Sequence, residues 1–255
     1  MLTRPSISRD GKTIAYARLK DVSAGRILAI STYSITTGKH TEYATGEFSG
    51  STAISPDASR LAYPGARPLG QVEGTGDSHL HIIELATGKQ SPGPEITSSS
   101  WPVFASWSPD SRQLAFSFKG EIRVWDSGTG KVQKVADGDV PAWSPSGEWI
   151  AYLPGEWEPA LGRIVFNPGR WGPKCMIVHP DGTGQKKLID WTQSKDYRTF
   201  VGVPVWSPDS KTILLNELDN GITLTVTVHE LDLETLALRT LFKKSTVVHG
   251  WATAN

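Results

Sequence analysis

Cysteine is almost missing from this chain. Cys175 is the single one in 255 residues, so no disulfide can form within it, a usage that fits a reducing compartment. An excess of either charge is missing too. The 26 basic and 26 acidic residues cancel to a formal net charge of +0, and no basic stripe interrupts the balance, which argues against a nucleic-acid partner. No apolar run reaches the roughly 18 residues that a membrane helix requires, so no membrane insertion is expected. The N terminus lacks the basic start and apolar core of a signal peptide. The chain is expected to be soluble, cytoplasmic if Met1 is the native start and periplasmic if a leader has been removed. The serine-hydrolase elbow Gly-x-Ser-x-Gly is also absent.

What the sequence does contain is a repeat. Ile7, Ile54, Trp107, Trp143 and Trp206 occupy equivalent positions, here called the slot. Each is followed by Ser: Ser8, Ser55, Ser108, Ser144 and Ser207. Pro56, Pro109, Pro145 and Pro208 come next, with Arg9 the exception, and then Asp10, Asp57, Asp110 and Asp209, with Ser146 the exception. Ile14, Leu61, Leu114, Ile150 and Ile213 stand seven places after the slot, and Tyr16, Tyr63, Phe116, Tyr152 and Leu215 nine places after it. Ser-Pro-Asp-Gly suits a type I turn, because Pro presets φ and Asp suits the next position. Residues two apart share one face of a strand. Each copy therefore reads as a β-hairpin with one buried face.

A second marker follows in each copy. Thr37-Gly38, Thr87-Gly88, Thr129-Gly130 and Thr183-Gly184 sit where a third strand turns into a fourth, Gly supplying positive φ. Thr235-Leu236 replaces it in the fifth copy, which predicts a turn built differently there. The expected fold is all-β: a single β-propeller domain over 1–255 with five blades of about four antiparallel strands. Blades are expected near 5–45, 50–96, 103–136, 140–189 and 203–242, with a closing strand at 247–252. Trp251 stands 16 residues after Thr235 (251 − 235), against 17, 20, 14 and 23 for the other turn-to-slot distances. That spacing leaves a six-bladed ring with an incomplete sixth blade as the alternative.

The slot-Ser-Pro-Asp unit followed by Ile-Ala-Tyr or Leu-Ala-Phe resembles the PD40 repeat of TolB-like β-propellers. Trp107-Ser108-Pro109-Asp110 with Leu114-Ala115-Phe116 is the best copy, and Ile122-Arg123-Val124-Trp125-Asp126 is similar to the third strand of a WD40 blade. The resemblance covers nearly the whole chain. It implies a fold rather than an activity, since such blades serve assembly proteins and gate domains of prolyl-oligopeptidase-like enzymes alike.

Motifs with chemistry are sparse. His79 and His81 point to one face of a strand, but no third ligand is near in sequence, so no metal is expected. Cys175 lacks any local signature and reads as packing. The repeated aspartates read as turn residues capping their own backbone. Asp190, Asp196, Glu156 and Glu158 read as loop acids, a candidate acid pair whose convergence the sequence does not show. No cofactor is expected.

The tryptophans say more. Trp107, Trp143 and Trp206, with Trp251 at the sixth slot, read as core, and Trp125 and Trp149 as strand packing. Trp101, Trp157, Trp171 and Trp191 fall outside the repeat, in the blade-four insertion and in connections between blades. Arg163, Phe166, Arg170, Tyr197, Arg198 and Phe200 accompany them. In a propeller these connections open on one face, and insertions there mark binding faces. Aromatic and Arg enrichment fits recognition. The expected function is a non-catalytic scaffold for a protein or peptide partner, with oligomeric state open. The alternatives are a carbohydrate-binding or carbohydrate-active propeller, and another hydrolase or cyclase with a site in the central funnel.

Overall fold

A computed structural model describes residues 5–22, 25–46, 51–64, 79–96, 103–154, 156–158, 163–165, 174–190, 198–219 and 225–244. All their regular structure is β. Blade one is β1 (Ser6–Ile7), β2 (Thr13–Val22), β3 (Gly25–Ser34) and β4 (His40–Gly46). Blade two is β5 (Ala53–Ile54), β6 (Arg60–Pro64), β7 (His79–Glu84) and β8 (Gln90–Glu95). Blade three is β9 (Ala105–Trp107), β10 (Gln113–Phe118), β11 (Glu121–Asp126) and β12 (Val132–Asp137). Blade four is β13 (Asp139–Trp143), β14 (Ile150–Leu153), β17 (Lys174–Val178) and β18 (Lys186–Asp190), with β15 (Glu156–Glu158) and β16 (Arg163–Val165) as a separate hairpin between its second and third strands. Blade five is β19 (Arg198–Trp206), β20 (Thr212–Asp219), β21 (Thr225–Asp232) and β22 (Leu238–Lys244). Five four-stranded sheets in sequential order, with antiparallel pairing, give the five-bladed β-propeller class that the repeat predicts. Trp251 and the expected closing strand lie outside the described residues.

The first turn of each blade is built as its residues demand. The amides of Gly11, Ala58, Ser111, Gly147 and Ser210 donate to the carbonyls of Ser8, Ser55, Ser108, Ser144 and Ser207. All five donors are left-handed, with φ of 70°, 57°, 61°, 80° and 60° in that order, the geometry of a type I turn closed by a bulge. The aspartate supports the turn from within. Asp110 Oδ1 accepts from Ser108 Oγ at 2.6 Å and from the Arg112 amide at 3.1 Å, and Ser108 Oγ accepts from the Gln113 amide at 2.8 Å. Asp10, Asp57 and Asp209 repeat the pattern. The Ser8 hydroxyl holds the Asp10 carboxyl below its usual range, as the Ser207 hydroxyl does for Asp209. At Asp57 and Asp110 burial opposes ionisation, and it is outweighed only by several hydrogen bonds together. They come from Ser55, the Ser59 amide and hydroxyl and Ser111 at Asp57, and from Ser108 and the Arg112 amide, with the Arg112 charge, at Asp110. The repeated acids are turn supports.

The second turn corrects one expectation. Thr235-Leu236 forms the same turn as its glycine-bearing counterparts. Asp232 Oδ1 accepts from the Glu234 and Thr235 amides and the Thr235 hydroxyl, as Asp126 Oδ1 does from Gly128 and Thr129. Leu236 takes φ 57°, close to the 67° of Gly38. The aspartate cap holds a β-carbon in a region where L residues are strained.

By internal contacts the chain forms two compact units, Met1–Leu114 with Trp125–Val132, and Ala115–Val124 with Gln133–Asn255. In the first, Ile54, Leu61, Tyr63 and Ile83 of blade two pack on Ala15 and Ile30 of blade one. In the second, Trp143, Ile150, Tyr152 and Val178 of blade four pack on Ala115, Ile122, Val124, Val135 and Ala136 of blade three. The face carrying the slot thus beds on the small and branched residues of the blade before it. Burying such side chains is worth roughly 1.5–3 kcal/mol each. Trp107, Trp143 and Trp206 are 5 %, 8 % and 7 % exposed, as their register predicts. Trp107 Nε1 donates to Ala53 O and Trp206 Nε1 to Ala142 O, both at 2.9 Å and both reaching the preceding blade. Trp125 packs edge-on to Trp107 with centroids 6.4 Å apart. Trp149 departs from expectation: it lies just before β14 rather than in a strand and stacks on His179 at 3.8 Å.

Candidate functional site

Within each blade the antiparallel order puts the Ser-Pro-Asp and Thr-Gly turns at one end of the sheet. The connection from second to third strand, and the one leaving the fourth, lie at the other. Blade three closes its second-to-third connection with Lys119-Gly120 alone, whereas blade four spends 154–173 there. The two blades share one framework and differ in what that end carries.

Of the expected binding residues, Trp157, Arg163, Arg198 and Phe200 are on described strands, which begin or lie in connections at this end. Trp157 and Arg163 lie on the β15–β16 hairpin, where Trp157 pairs with Ile164 and Glu158 with Arg163. Glu156 and Glu158 are therefore strand residues, not loop acids. Arg198 and Phe200 belong to β19, which begins earlier than the expected start of blade five, and pair with Asp219 and Glu217. Asp190 ends β18, paired with Lys174. Trp101, Phe166, Arg170, Trp171, Trp191, Asp196 and Tyr197 lie outside the described residues.

Glu217, the residue paired with Phe200 across β19 and β20, belongs to a polar cluster that the repeat pattern alone does not single out. Glu217 and His229 are 1 % and 5 % exposed, with Oε2 and Nε2 2.5 Å apart. Nδ1 of the same ring is 3.1 Å from Thr240 Oγ1. With the Nε2 proton directed at the carboxylate, Nδ1 accepts from the threonine hydroxyl. Carboxylate, imidazole and hydroxyl thus run across β20, β21 and β22 to the surface. The signal was present: Glu217 continues the alternation Ile213, Leu215, so an acid occupies an inward-facing position.

Cys175, His79 and His81 are the other residues with potential chemistry. Cys175 is fully buried, and burial pushes its thiol up to about 12, far from a reactive thiolate. His79 and His81 lie on one face of β7, with the His81 ring 5.3 Å from Tyr63. Among the described residues no group of three or more His, Cys, Asp and Glu is placed to hold a metal.

No protein-family model matches the sequence, and no curated protein matches it. Solved structures do. TolB from Acinetobacter baumannii superposes with a TM-score of 0.66 at 16 % identity, over 96 % of this chain and 56 % of that one. An oligogalacturonate lyase in complex with manganese gives 0.61 at 16 % identity, over 94 % and 64 %. The β-propeller domain of the Trilobed protease from Pyrococcus furiosus, described as having an open velcro topology, gives 0.59 at 16 % identity, over 94 % and 70 %. The class is therefore the TolB-like β-propeller fold. The chain spans only 56 % of the Acinetobacter TolB. No helix among the described residues is long and apolar enough to cross a membrane.

Proposed function

We propose that this chain is a non-catalytic binding module that recognises a protein or peptide at the end of the blades bearing the long connections. The observation that carries the reading is the contrast between blades three and four: the extra chain, including the β15–β16 hairpin with Trp157 and Arg163, is confined to that end. Aromatic rings there offer contact area at low entropy cost, and arginines orient carboxylates through paired hydrogen bonds. The likeness to TolB supports the fold on which the reading is built. With a net charge of +0, long-range steering is weak, and binding is expected to vary little with salt.

The test compares peptide-array binding by the wild type and a Trp157→Ala/Trp171→Ala double variant. Loss of binding with an unchanged unfolding midpoint supports the reading. A folded variant that keeps full binding places the site elsewhere. The enzymatic alternative draws on the Glu217–His229–Thr240 row and on the lyase likeness. Turnover of oligogalacturonate with manganese, abolished by His229→Asn in a folded variant, would replace the binding reading.

A further inference from the structure

We propose that Thr240 is an acyl-acceptor site, whose hydroxyl takes the acyl group of an activated ester or thioester with His229 as the base and Glu217 as the group that orients the ring. This goes beyond the recognition surface proposed above and stands on geometry inside one sheet. Glu217, His229 and Thr240 belong to β20, β21 and β22, successive neighbours in blade five, and all three fall in one compact unit. His229 pairs with Leu215 on one side and with Thr240 on the other. Glu217 lies two places from Leu215 and so shares its face. The β21–β22 register shifts between Val228 and His229, making Leu241 an extra residue next to Thr240, and such bulges re-aim neighbouring side chains.

A threonine hydroxyl is a weak nucleophile until a base takes its proton, and the base works best when a third group orients it. The three parts stand here in that order. Thr240 Oγ1 is 3.1 Å from His229 Nδ1, and Nε2 of the same ring is 2.5 Å from Glu217 Oε2. Carboxylate and ring are buried, whereas Thr240 is exposed. The carboxylate fixes the tautomer that leaves Nδ1 able to accept, and it offsets the charge of the imidazolium that forms. Other exposed threonines lack this arrangement. The hydroxyls of Thr129 and Thr235 donate to Asp126 and Asp232 and serve their turns.

In the transfer, Thr240 Oγ1 attacks the carbonyl carbon of the donor. The new Oγ1–C bond forms as the bond from that carbon to the leaving oxygen or sulfur breaks. The hydroxyl proton passes to His229 Nδ1 and from there to the leaving group, so nothing is oxidised or reduced. Phenolate and thiolate depart without a separate acid positioned on them, which is why the donor class is an activated ester or thioester rather than an amide or a glycoside. The product is the ester of Thr240.

The test treats the full chain with p-nitrophenyl acetate and locates acetyl groups by peptide mass spectrometry. The expected result is acetylation of Thr240, lost in Thr240→Ala, kept in Thr240→Ser and slowed at least about a hundredfold in His229→Asn. Thr129 and Thr235 should stay unmodified. Glu217→Gln should move the pH profile of the rate toward lower pH, because a carboxylate against the ring favours its protonated form. A merely structural glutamate would not move that profile. Acetyl groups on lysines alone, equal acetylation of Thr235 and Thr240, or a folded His229→Asn variant reacting at the wild-type rate overturns the proposal. So does an unmoved profile in a folded Glu217→Gln variant. Where a buried variant fails to fold, the comparison of Thr240 with Thr235 in the wild type and in Thr240→Ser decides. The Trp157→Ala/Trp171→Ala variant should acetylate as the wild type does, so this site and the loop-end surface fail independently.

Discussion

Blade one and blade four carry the same apolar face and use it differently. In blade four Trp143, Ile150 and Tyr152 are enclosed by Ala115, Ile122 and Val124. In blade one Ile7 and Tyr33 stand in solvent and Ile14 and Tyr16 are half-covered. The side chains are equally apolar in both. What differs is how far the described side chains are exposed, which no single repeat copy encodes. The second turn of blade five teaches the converse. There the sequence changed, from Gly to Leu236, and the geometry stayed, because Asp232 and Thr235 hold it.

The largest effect that can break the comparison is loss of an enclosed slot. Trp206→Ala should cost about 3–5 kcal/mol, read as a lowered urea midpoint, since its indole is buried and bonded to Ala142 O. A midpoint unchanged within error would show that the slot is not core. The turn of blade five gives a smaller effect of opposite sign. Leu236 is 42 % exposed and left-handed, so Leu236→Gly should stabilise by about 0.5–1 kcal/mol. Destabilisation there would mean that the leucine packs rather than strains.

The turn acids provide a pH test. Hydrogen bonds from Thr129 hold Asp126 below its ordinary value of 3.8, and those from Thr235 do the same for Asp232. A carboxyl whose native pKa is lowered contributes stability that is complete above the unfolded value and lost as pH falls through the native one. The loss should therefore begin as pH drops below about 4 and continue beneath it, and Asp232→Asn should flatten that limb in acid titrations followed by circular dichroism. An equally steep limb in the variant would assign the acid sensitivity to other groups. Smallest of all is Ile7→Ala. At 54 % exposure it should shift the urea midpoint by less than about 0.5 kcal/mol, and a larger shift would show the slot of blade one to be covered.

Much of this fold was legible. A Ser-led turn at a fixed offset from an apolar slot marks the first turn of each blade: Ser-Pro-Asp in blades two, three and five, Ser8-Arg9-Asp10 in blade one and Ser144-Pro145-Ser146 in blade four. The geometry at Ser108–Ser111 and Ser207–Ser210 follows it. Glycine alone does not mark this turn, since Leu236 takes the same left-handed conformation in blade five. Asp126 with Thr129, and Asp232 with Thr235, were the shared and sufficient mark. Glu217 and His229 were written into alternating strands, but pairing across β20 and β21 brings them together, and pairing partners are not written in either strand. The exposure of Ile7 and Tyr33 was illegible for the same reason: burial belongs to the neighbour.

The most direct test of that contrast sets Tyr152→Ala against Tyr16→Ala in urea unfolding. Both aromatics hold the same place in the repeat, the first fully buried and the second half-buried. The expected result is a loss of about 3–5 kcal/mol for Tyr152→Ala and of about 1 kcal/mol for Tyr16→Ala. Equal losses would mean that the slot face of blade one is as enclosed as that of blade four, and would contradict the account.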